Sequence, residues 1–397
     1  MERSVHAITS LTGLDAAMAK SREARVRLAE SILSGRAIAP GDVAILNTVL
    51  KAILDAPRRG GRTRLETGLG RSIDFDLTFE TRSLEQDLVF CTRGEAALID
   101  LLAAREPGFA AETPAGIEAL GGRRWRCLLA DRDGTLLDYC GRYASSIQPA
   151  WNAVFLARFC REKTERAIML TSGPLENGGL PSVTTLPPGI MDLAASKGRE
   201  WLTRDGTRGA VPLPPAAAAR LDELAERLTA LLARPEFAVF CRIGSGFQHK
   251  HGELTIAHQD AFGSVDAGES ARFLDAVRKL VGEIDPTGKH LSIEDTGLDI
   301  EIGLAALGKA FDKGQALAVL DATFGLDLTR GPILVCGDTA ADLSMLRAAL
   351  DRTPDVQALF VTRSKALAAE VRALCPEAVC VGAPATLMAI LNGLAGR

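Results

Sequence analysis

The chain has 397 residues, a formal net charge of -4, and a composition that is 47% hydrophobic and 5% aromatic. This length predicts two or three domains, and the absence of a basic stripe gives no expectation of nucleic-acid binding. No run of about 18 apolar residues occurs and no signal-peptide pattern opens the chain, so we expect a cytoplasmic protein without membrane contact. The chain has eight cysteines, and none forms a CxxC pair that would indicate zinc or redox chemistry.

Residues 1–122 are predicted to be mostly helical. Apolar residues recur at helical spacing, for example at 43–50. A loop at 58–70 is followed by a strand-like alternation at 73–79 and by a helical pattern at 95–104. No residue in this region belongs to a recognisable chemical motif. We expect the region to support a homodimer, to contact a partner glycosyltransferase, or to pack against the rest of the chain.

From residue 124 onward, strand and helix patterns alternate. Strands are predicted at 126–130, 167–170, 333–336, 358–361 and 378–381. Helices are predicted between them at 149–161, 340–350 and 365–374. This alternation predicts an α/β fold with a doubly wound parallel (Rossmann-like) sheet, formed by residues 123–209 and 306–397.

Residues 210–305 interrupt that alternation. Helices are predicted at 215–233 and 269–281, and strands at 237–243, 253–258, 291–294 and 298–302. The segment is too long for an ordinary loop, so it predicts a small inserted α/β domain.

Two carboxylates follow the first core strand. Asp131 and Asp133 stand directly after the apolar run at 127–130, at a strand end where ligands of parallel α/β sheets bind. Gly134 permits a turn, and Thr135 can hydrogen-bond a ligand oxyanion. One aspartate can attack phosphorus while the other handles a proton. Alone, the motif could also be an ordinary loop.

Three further features follow in order along the chain. Thr171 and Ser172 come directly after the second predicted strand, and Lys313 stands at the start of a predicted helix. Asp338 and Asp342 are four residues apart after another apolar strand, where both can face a metal that prefers oxygen ligands, such as Mg²⁺. Each feature alone could be a turn, a surface lysine or a helix N-cap. Together they favour a phosphoryl-transfer site.

This set of motifs resembles the haloacid dehalogenase superfamily of phosphatases, and the insertion resembles the α/β cap of its type-II members. Residues 195–200 are similar to the GSHGAE stretch of trehalose-6-phosphate phosphatases. Residues 138–143 and 146–152 most resemble glucosylglycerol-phosphate phosphatases.

The resemblance implies a mechanism. Asp131 would be the nucleophile, and Asp133 would be the general acid and base. Mg²⁺ would be held by Asp131, the backbone carbonyl of Asp133 and Asp338, with Asp342 supporting these ligands, and Lys313 would complete the charge neutralisation.

The phosphate-binding hydroxyl is left open between two residues. Thr171 is preferred because it is the first residue past the strand. The related phosphatases usually carry Ser-Gly-Arg where this chain has Ser172, Gly173 and Pro174, so Ser172 remains the alternative.

The resemblance assigns substrate specificity to the cap. Gln248 stands where an acidic residue is common, Lys250 is retained, and Glu301 matches a second acidic position. The predicted substrate-binding set is Arg142, Ser172, Gly173, Gln248, Lys250, His258 and Glu301. Three of the five histidines fall within 249–258, but acidic partners at zinc-ligand spacing are missing.

These observations lead to a main functional hypothesis and three alternatives. The main hypothesis is a Mg²⁺-dependent phosphatase that releases glucosylglycerol from glucosylglycerol 3-phosphate in compatible-solute synthesis. The first alternative is a trehalose-6-phosphate phosphatase. A different class would be a catalytically idle regulator that binds a sugar phosphate, and a phosphomutase is a further option.

Overall fold

The computed structural model describes residues 7–68, 70–305 and 311–396. The first part of the chain is mostly helical, as predicted, and a small antiparallel sheet of three strands interrupts its helices. Its elements are α1 (Leu11–Leu33), α2 (Pro40–Leu54), β1 (Arg58–Arg59), β2 (Arg62–Glu66), β3 (Ser72–Phe75), α3 (Thr78–Arg105) and α4 (Phe109–Leu120). Residues 1–6 and Leu69 of this region lie outside the described residues.

Local side-chain contacts explain where several of these elements begin and end. The Ser10 hydroxyl accepts a hydrogen bond from the Gly13 amide at 3.1 Å and so caps α1. The strand predicted at 73–79 ends at Phe75 instead, because the Asp76 carboxylate accepts from the Thr78 amide at 2.8 Å and turns the chain into α3. Helix α3 contains a kink at Gly94, whose φ of +86° favours glycine.

The second part of the chain begins a large central sheet. Its elements are β4 (Trp125–Ala130), α5 (Ala150–Lys163), β5 (Thr164–Leu170), α6 (Leu180–Val183), β6 (Asp192–Ala195), β7 (Glu200–Leu202) and β8 (Arg208–Ala210). Strands β4, β5 and β6 are parallel, whereas β7 and β8 extend the sheet in antiparallel fashion.

The inserted segment forms its own antiparallel sheet with two covering helices. Its elements are α7 (Pro215–Leu232), β9 (Phe247–Lys250), β10 (Glu253–Ala257), α8 (Ala267–Ile284), β11 (Leu291–Asp295) and β12 (Asp299–Leu304). The strand order is β11-β12-β10-β9. Apolar residues on one face of β10 and β12 pair with each other and are buried, among them Ile256 and Ile300. The opposite face carries the polar residues, as alternation along a strand requires.

The prediction of a strand at 237–243 is wrong. Residues Ala238–Cys241 form a short 3₁₀ turn instead. The apolar run is buried because the Phe240 ring stacks on Phe273 of α8, with centroids 4.0 Å apart. The strand that pairs with β10 is β9, which begins four residues after the predicted segment ends.

The chain then returns to the central sheet. The remaining elements are α9 (Lys313–Phe324), β13 (Ile333–Gly337), α10 (Leu343–Leu350), β14 (Val356–Val361), α11 (Lys365–Leu374), β15 (Val379–Val381) and α12 (Pro384–Leu394). The eight-stranded order is β15-β14-β13-β4-β5-β6-β7-β8, parallel from β15 to β6. Both faces of β4 are buried, with Leu128 in one hydrophobic cluster and Leu129 in the other.

The structure therefore confirms the α/β fold class with a predominantly parallel central sheet. The division of the chain at 122/123, 209/210 and 305/306 stays a prediction, and the last boundary adjoins residues 306–310, which lie outside the described residues. Within the parts of the chain that the structure describes, none of the helices is both long and apolar enough for a membrane crossing.

Candidate active site

The ends of two neighbouring parallel strands bring the first two acidic motifs together. The Asp131 amide, just past β4, donates to the carbonyl oxygen of Cys336 in β13 at 3.0 Å. Gly134 turns the chain with a φ of +87°, and a Cβ at this position would lie 2.2 Å from Asp338 Oδ2. Only glycine fits this close approach without a shift of the carboxylate.

Three carboxylates form one cluster at these strand ends. Ligand atoms of Asp131, Asp338 and Asp342 all lie within 4.8 Å of one another. The Thr135 hydroxyl donates to Asp338 Oδ1 at 2.9 Å and lies 3.4 Å from Asp131 Oδ2. Thr135 therefore links the carboxylates of Asp131 and Asp338 to the turn that follows β4.

Lys313 enters this cluster from the first turn of α9. Its Nζ lies 2.5 Å from Asp131 Oδ1 and 2.6 Å from Asp342 Oδ1. The other oxygen of Asp342 accepts from the amides of Asp338 and Thr339 at 3.1 and 3.0 Å, and from the Thr339 hydroxyl at 2.9 Å. Both oxygens of Asp342 are therefore engaged within the protein, which suits a supporting role.

The cluster holds more negative charge than Lys313 can neutralise. Burial raises the pKa of Asp131 to about 8, with Lys313 opposing the rise and Asp342 adding to it. Burial and Asp342 also raise the pKa of Asp338 to about 6. Three carboxylates face one ammonium group here, and their oxygen atoms are the hard ligands that Mg²⁺ prefers. The residues present therefore fit a divalent cation.

Asp133 lies at the edge of a cleft between the central sheet and the inserted segment. The cleft has a volume of about 290 Å³. Its lining includes Asp133, Ser146, Ser172 and Gly173 from the central-sheet part, and Gln248, Lys250, Thr255 and Glu301 from the inserted segment. Five predicted substrate residues therefore line one space, together with the predicted acid and base.

The two candidate phosphate-binding hydroxyls are placed differently. Thr171 is buried, and its hydroxyl oxygen accepts from the Gly173 amide at 3.2 Å. Ser172 is exposed and lines the cleft. This placement favours Ser172 over Thr171 as the hydroxyl that reaches a ligand.

Arg142 and His258 do not line the cleft. Arg142 forms an ion pair with Asp15 of α1 and donates through Nε to the carbonyl oxygen of Arg242 at 2.9 Å. The His258 ring lies 2.7 Å from the Ser270 hydroxyl and 3.0 Å from Asp295 Oδ1. Both side chains are buried in contacts that join elements, so their predicted substrate roles are not supported.

A charge network that the motifs did not predict connects the central sheet to the inserted segment. Lys197 Nζ, in the loop after β6, lies 3.0 Å from Glu253 and 3.4 Å from Glu301. Lys250 Nζ lies 3.1 Å from Glu253 Oε1. Burial alone would raise the pKa of Glu253, but Lys250 and Lys197 lower it to about 2. The available signal was the GSHGAE-like stretch, in which Lys197 stands.

Both tyrosines of the chain line the cleft, and neither was predicted to. Tyr139 is 68% exposed. The buried Tyr143 hydroxyl has no hydrogen-bond partner within the described residues. It approaches the backbone so closely that a Cβ on Gly173 would lie 2.8 Å from it. The available signal was the 138–143 stretch that resembles glucosylglycerol-phosphate phosphatases, from which only Arg142 is predicted to bind substrate.

Sequence models of known families match this chain in two places. The model for "Trehalose-6-phosphate phosphatase, C-terminal" matches residues 128–387. The model for "Trehalose-6-phosphate phosphatase N-terminal helical bundle domain" matches residues 10–101.

Individual proteins are similar to the chain over most of its length. The trehalose-phosphatase of Caenorhabditis elegans is 34% identical over 305 residues, which are 75% of this chain and 64% of the relative. Alpha,alpha-trehalose-phosphate synthase (UDP-forming) 2 of the same organism is 34% identical over 318 residues, 76% of this chain and 26% of the relative. The chain spans about a quarter to a third of the length of such synthase relatives.

Solved structures also match. The C-terminal domain of C. albicans trehalose-6-phosphate phosphatase has 14% sequence identity and a TM-score of 0.46, covering 72% of this chain and 96% of that chain.

Proposed function

The chain belongs to the trehalose-6-phosphate phosphatase family, and on this basis we propose that it hydrolyses trehalose 6-phosphate to trehalose and phosphate. The observation that carries the proposal is the single cleft that joins Asp133 to the polar face of the inserted sheet. Small-molecule sites span about 300–1,000 Å³, and the cleft lies close to the lower end of that range. We call the inserted segment, residues 210–305, the cap.

The first chemical step uses the two aspartates after β4. The Asp131 carboxylate attacks phosphorus, and the bond between phosphorus and the sugar oxygen breaks. Asp133 gives its proton to the leaving sugar oxygen, so the sugar departs as a neutral alcohol. The pairing of Lys313 with Asp131 at 2.5 Å supports a role in offsetting negative charge on the phosphoryl group.

The second step reverses the role of Asp133. Its carboxylate takes a proton from water, and the water oxygen attacks the phosphorus of the aspartyl-phosphate. Phosphate leaves, and Asp131 is restored as a carboxylate. Asp131, Asp338 and the backbone carbonyl of Asp133 would hold Mg²⁺, which when bound supplies positive charge that stabilises the phosphoryl oxygens.

The cap face opposite Asp133 supports a polyhydroxylated ligand. Thr255 pairs in register with Gln248 on one side and with Glu301 on the other, so the three side chains lie next to each other across three strands. Together with Lys250 they offer both donors and acceptors to sugar hydroxyls. Ser172, exposed on the opposite wall, supplies a hydroxyl for the phosphoryl group.

Glucosylglycerol 3-phosphate, the main substrate expected from the sequence, finds no support among the family matches, which favour the trehalose 6-phosphate alternative. The intact pairing of Asp131 with Lys313 favours an enzyme over an idle regulator. Relatives named as synthases contain a segment similar to this chain within a longer protein, which supports a glycosyltransferase as the source of the phosphate ester. A homodimer stays a prediction.

Phosphate release in the presence of Mg²⁺ tests the proposal. The panel is trehalose 6-phosphate, glucosylglycerol 3-phosphate, sucrose 6-phosphate, mannosylglycerate phosphate and glucose 6-phosphate. We expect kcat/KM to be highest for trehalose 6-phosphate by at least about tenfold, or about 1.4 kcal/mol of transition-state binding. The Asp131→Asn variant should release no phosphate. Preference for glucosylglycerol 3-phosphate would overturn the substrate assignment, and release from none of the panel would support the regulator.

A further inference from the structure

Arg132 stands between the two aspartates of the site and is only 1% exposed. Its Nη1 donates to Asp133 Oδ1 and, at 3.2 Å, to the Ser146 hydroxyl, while its Nη2 donates to the Ser146 carbonyl oxygen. The Ser146 hydroxyl in turn lies 3.3 Å from Asp133 Oδ1. The guanidinium group therefore links Asp133 to Ser146, which lies 13 residues later in the chain.

The two oxygens of the Asp133 carboxylate have different surroundings. Oδ1 is approached by two donors, Arg132 and Ser146. Oδ2 has no hydrogen-bond partner in the described ranges of the chain, and the side chain, 25% exposed, lines the cleft. The χ2 angle of aspartate normally has a broad distribution. Hydrogen bonds that hold one carboxylate oxygen restrict rotation about this angle.

Burial of the Arg132 guanidinium lowers the stability of the fold unless other contacts compensate for it. Transfer of a guanidinium out of water costs free energy unless it is paired and hydrogen-bonded. Here the carboxylate of Asp133 and the two oxygens of Ser146 provide that compensation. An apolar residue would fill the same space without this cost, so the charged group points to a role beyond packing.

We propose that Arg132, together with Ser146, is a positioning residue that holds Oδ1 of Asp133 and thereby makes Oδ2 the atom that transfers the proton. The proposal rests on the proposed function and deepens it. In the first step the proton on Oδ2 passes to the sugar oxygen as the bond from phosphorus to that oxygen breaks. In the second step Oδ2 accepts a proton from the attacking water. Oδ1 accepts hydrogen bonds from Arg132 and Ser146 throughout.

The dependence of the first step on the leaving group tests this role. Trehalose must be protonated as it departs, whereas p-nitrophenolate leaves p-nitrophenyl phosphate without a proton. The measurement is the rate of leaving-group release in a single turnover by the full chain with Mg²⁺. In Arg132→Met, release of trehalose should slow by about 100-fold or more, the size of a lost general acid. Release of p-nitrophenolate should slow by less than about fivefold, since it needs no such acid.

Further variants separate positioning from folding. Arg132→Lys retains the positive charge but loses the planar guanidinium that donates to Asp133 and Ser146 together. Its rate for the sugar substrate should therefore lie between those of Arg132→Met and wild type. Ser146→Ala keeps Arg132 and removes one donor to Oδ1, so it should show a smaller loss with the same preference for the sugar substrate. Arg166 serves as the matched control, because it pairs with the fully buried carboxylate of Asp192 at 2.8 Å. It lies near the start of β5, whereas the cleft adjoins the other end of that strand. In Arg166→Met any loss should be equal for the two substrates.

Equal losses on both substrates in Arg132→Met and Ser146→Ala, or no loss in either, would overturn the proposal. If Arg132→Met does not fold, the same criterion is applied to Ser146→Ala alone: an equal loss on both substrates, or no loss, would overturn the proposal. Failure of the proposed function can be distinguished from failure of this proposal, because the wild-type enzyme would then release no trehalose from trehalose 6-phosphate. The comparison is in that case made with glycerol 2-phosphate, whose alkoxide leaving group also needs a proton.

Discussion

Lys313 lies between two buried carboxylates, so it acts on both the chemistry and the stability of the site. Its ammonium group lies 2.5 Å from the Asp131 oxygen and 2.6 Å from the Asp342 oxygen. The attractions of Asp131 and Asp342 outweigh burial, which would lower the pKa of Lys313, and raise it above its ordinary value. Lys313 is therefore a permanent cation beside the attacking oxygen.

Replacement of Lys313 by methionine removes that cation and keeps most of the side-chain volume. We expect kcat for phosphate release to fall about 10²–10³-fold, the usual effect of losing one charge-stabilising donor. The free energy of unfolding should fall by about 3 kcal/mol, because a buried pair loses one partner. Steady-state kinetics and urea denaturation measure the two effects.

Lys365 provides the matched control, since it begins α11 as Lys313 begins α9 but is exposed. Lys365→Met should leave kcat within about twofold of wild type and change the free energy of unfolding by less than about 0.5 kcal/mol. A Lys313→Met enzyme with wild-type kcat would exclude Lys313 from the phosphoryl site.

The acidic cluster could be predicted from sequence because the ends of parallel strands, and not closeness along the chain, bring its members together. Asp131 and Asp338 each follow an apolar run, and parallel strands end at one edge of a sheet. The partner of Arg142 could not be predicted in this way, because Asp15 lies within a helix 127 residues earlier and neither residue follows a strand. The choice between Thr171 and Ser172 stays a prediction, and the sequence left it open because which of two neighbouring hydroxyls faces the cleft depends on the exact turn after β5.

The polar face of the cap sheet explains why the sequence does not predict a strand at β9. A strand is recognised by an apolar face that packs on a core, but Gln248 and Lys250 of β9 face the cleft and Glu253 instead. The apolar run at 237–243 predicts a strand, but its residues pack as a 3₁₀ turn in the core of the cap. Helix α7 and strand β10 could be predicted closely because their apolar residues face a core.

Glu253 connects the cap to the central sheet through charge. It is buried among Lys250, Lys197 and Arg199, which together hold its pKa at about 2, against the effect of burial. The ordinary value for glutamate is about 4.3. Because the folded-state pKa is the lower one, the ionised group stabilises the fold at any pH above about 4.3, and this contribution is lost as the pH falls toward 2.

The Glu253→Gln variant should therefore be destabilised in a pH-dependent way. At pH 7 we expect its free energy of unfolding to be lower than that of wild type by about 3 kcal/mol, since three cations lose their carboxylate. The difference should shrink progressively as pH falls from 5 to 3, because wild type then loses the same contribution. Urea denaturation at pH 7, 5, 4 and 3 measures this.

Glu283 is the matched control within the cap, because its pair with Arg227 is exposed on both sides. Glu283→Gln should differ from wild type by less than about 0.5 kcal/mol at each pH. A difference for Glu253→Gln that is constant between pH 7 and pH 3 would show that the network does not stabilise the fold through the charge of Glu253.

The N-terminal region contacts both the central-sheet part of the chain and the cap. The buried ion pair of Arg25 with Asp87 is joined to α5 by the Trp151 amide, which donates to Asp87 at 3.1 Å. Arg22 of α1 donates to the Thr184 carbonyl oxygen at 3.1 Å. The region is therefore part of the folded unit around the cleft, which its helical pattern alone could not indicate.

Arg62 of β2 and Arg71, which directly precedes β3, reach the cap next to the cleft. The Arg62 guanidinium lies 4.8 Å from the centroid of the Phe262 ring, and Arg71 pairs with Glu269 of α8 at 2.5 Å. The Phe262 ring also lies against Gly141 of the core loop, where a Cβ would approach it to 3.2 Å. These contacts hold the cap loop that begins with the cleft residues Gln259 and Asp260.

Removal of both contacts in the double variant Arg62→Ala/Arg71→Ala should weaken the positioning of the cap over the core. We expect kcat/KM for the sugar phosphate to fall about tenfold, because binding must then also order the cap loop. The free energy of unfolding should fall by only about 1 kcal/mol, since both contacts are partly exposed. Hydrogen exchange of residues 259–263 should accelerate in the variant.

A variant of Arg64 distinguishes the loss of the cap contacts from damage to the β1–β3 sheet itself. It lies on β2 between the two arginines and pairs with Asp74 of β3 at 3.1 Å, so its contact stays within the N-terminal region. Arg64→Ala should reduce stability about as much as either single cap-facing variant, yet leave kcat/KM and exchange in the cap loop unchanged. If Arg64→Ala lowered kcat/KM as far as the double variant does, the effect would come from the sheet as a whole, and the cap contacts of Arg62 and Arg71 would have no separate role in catalysis.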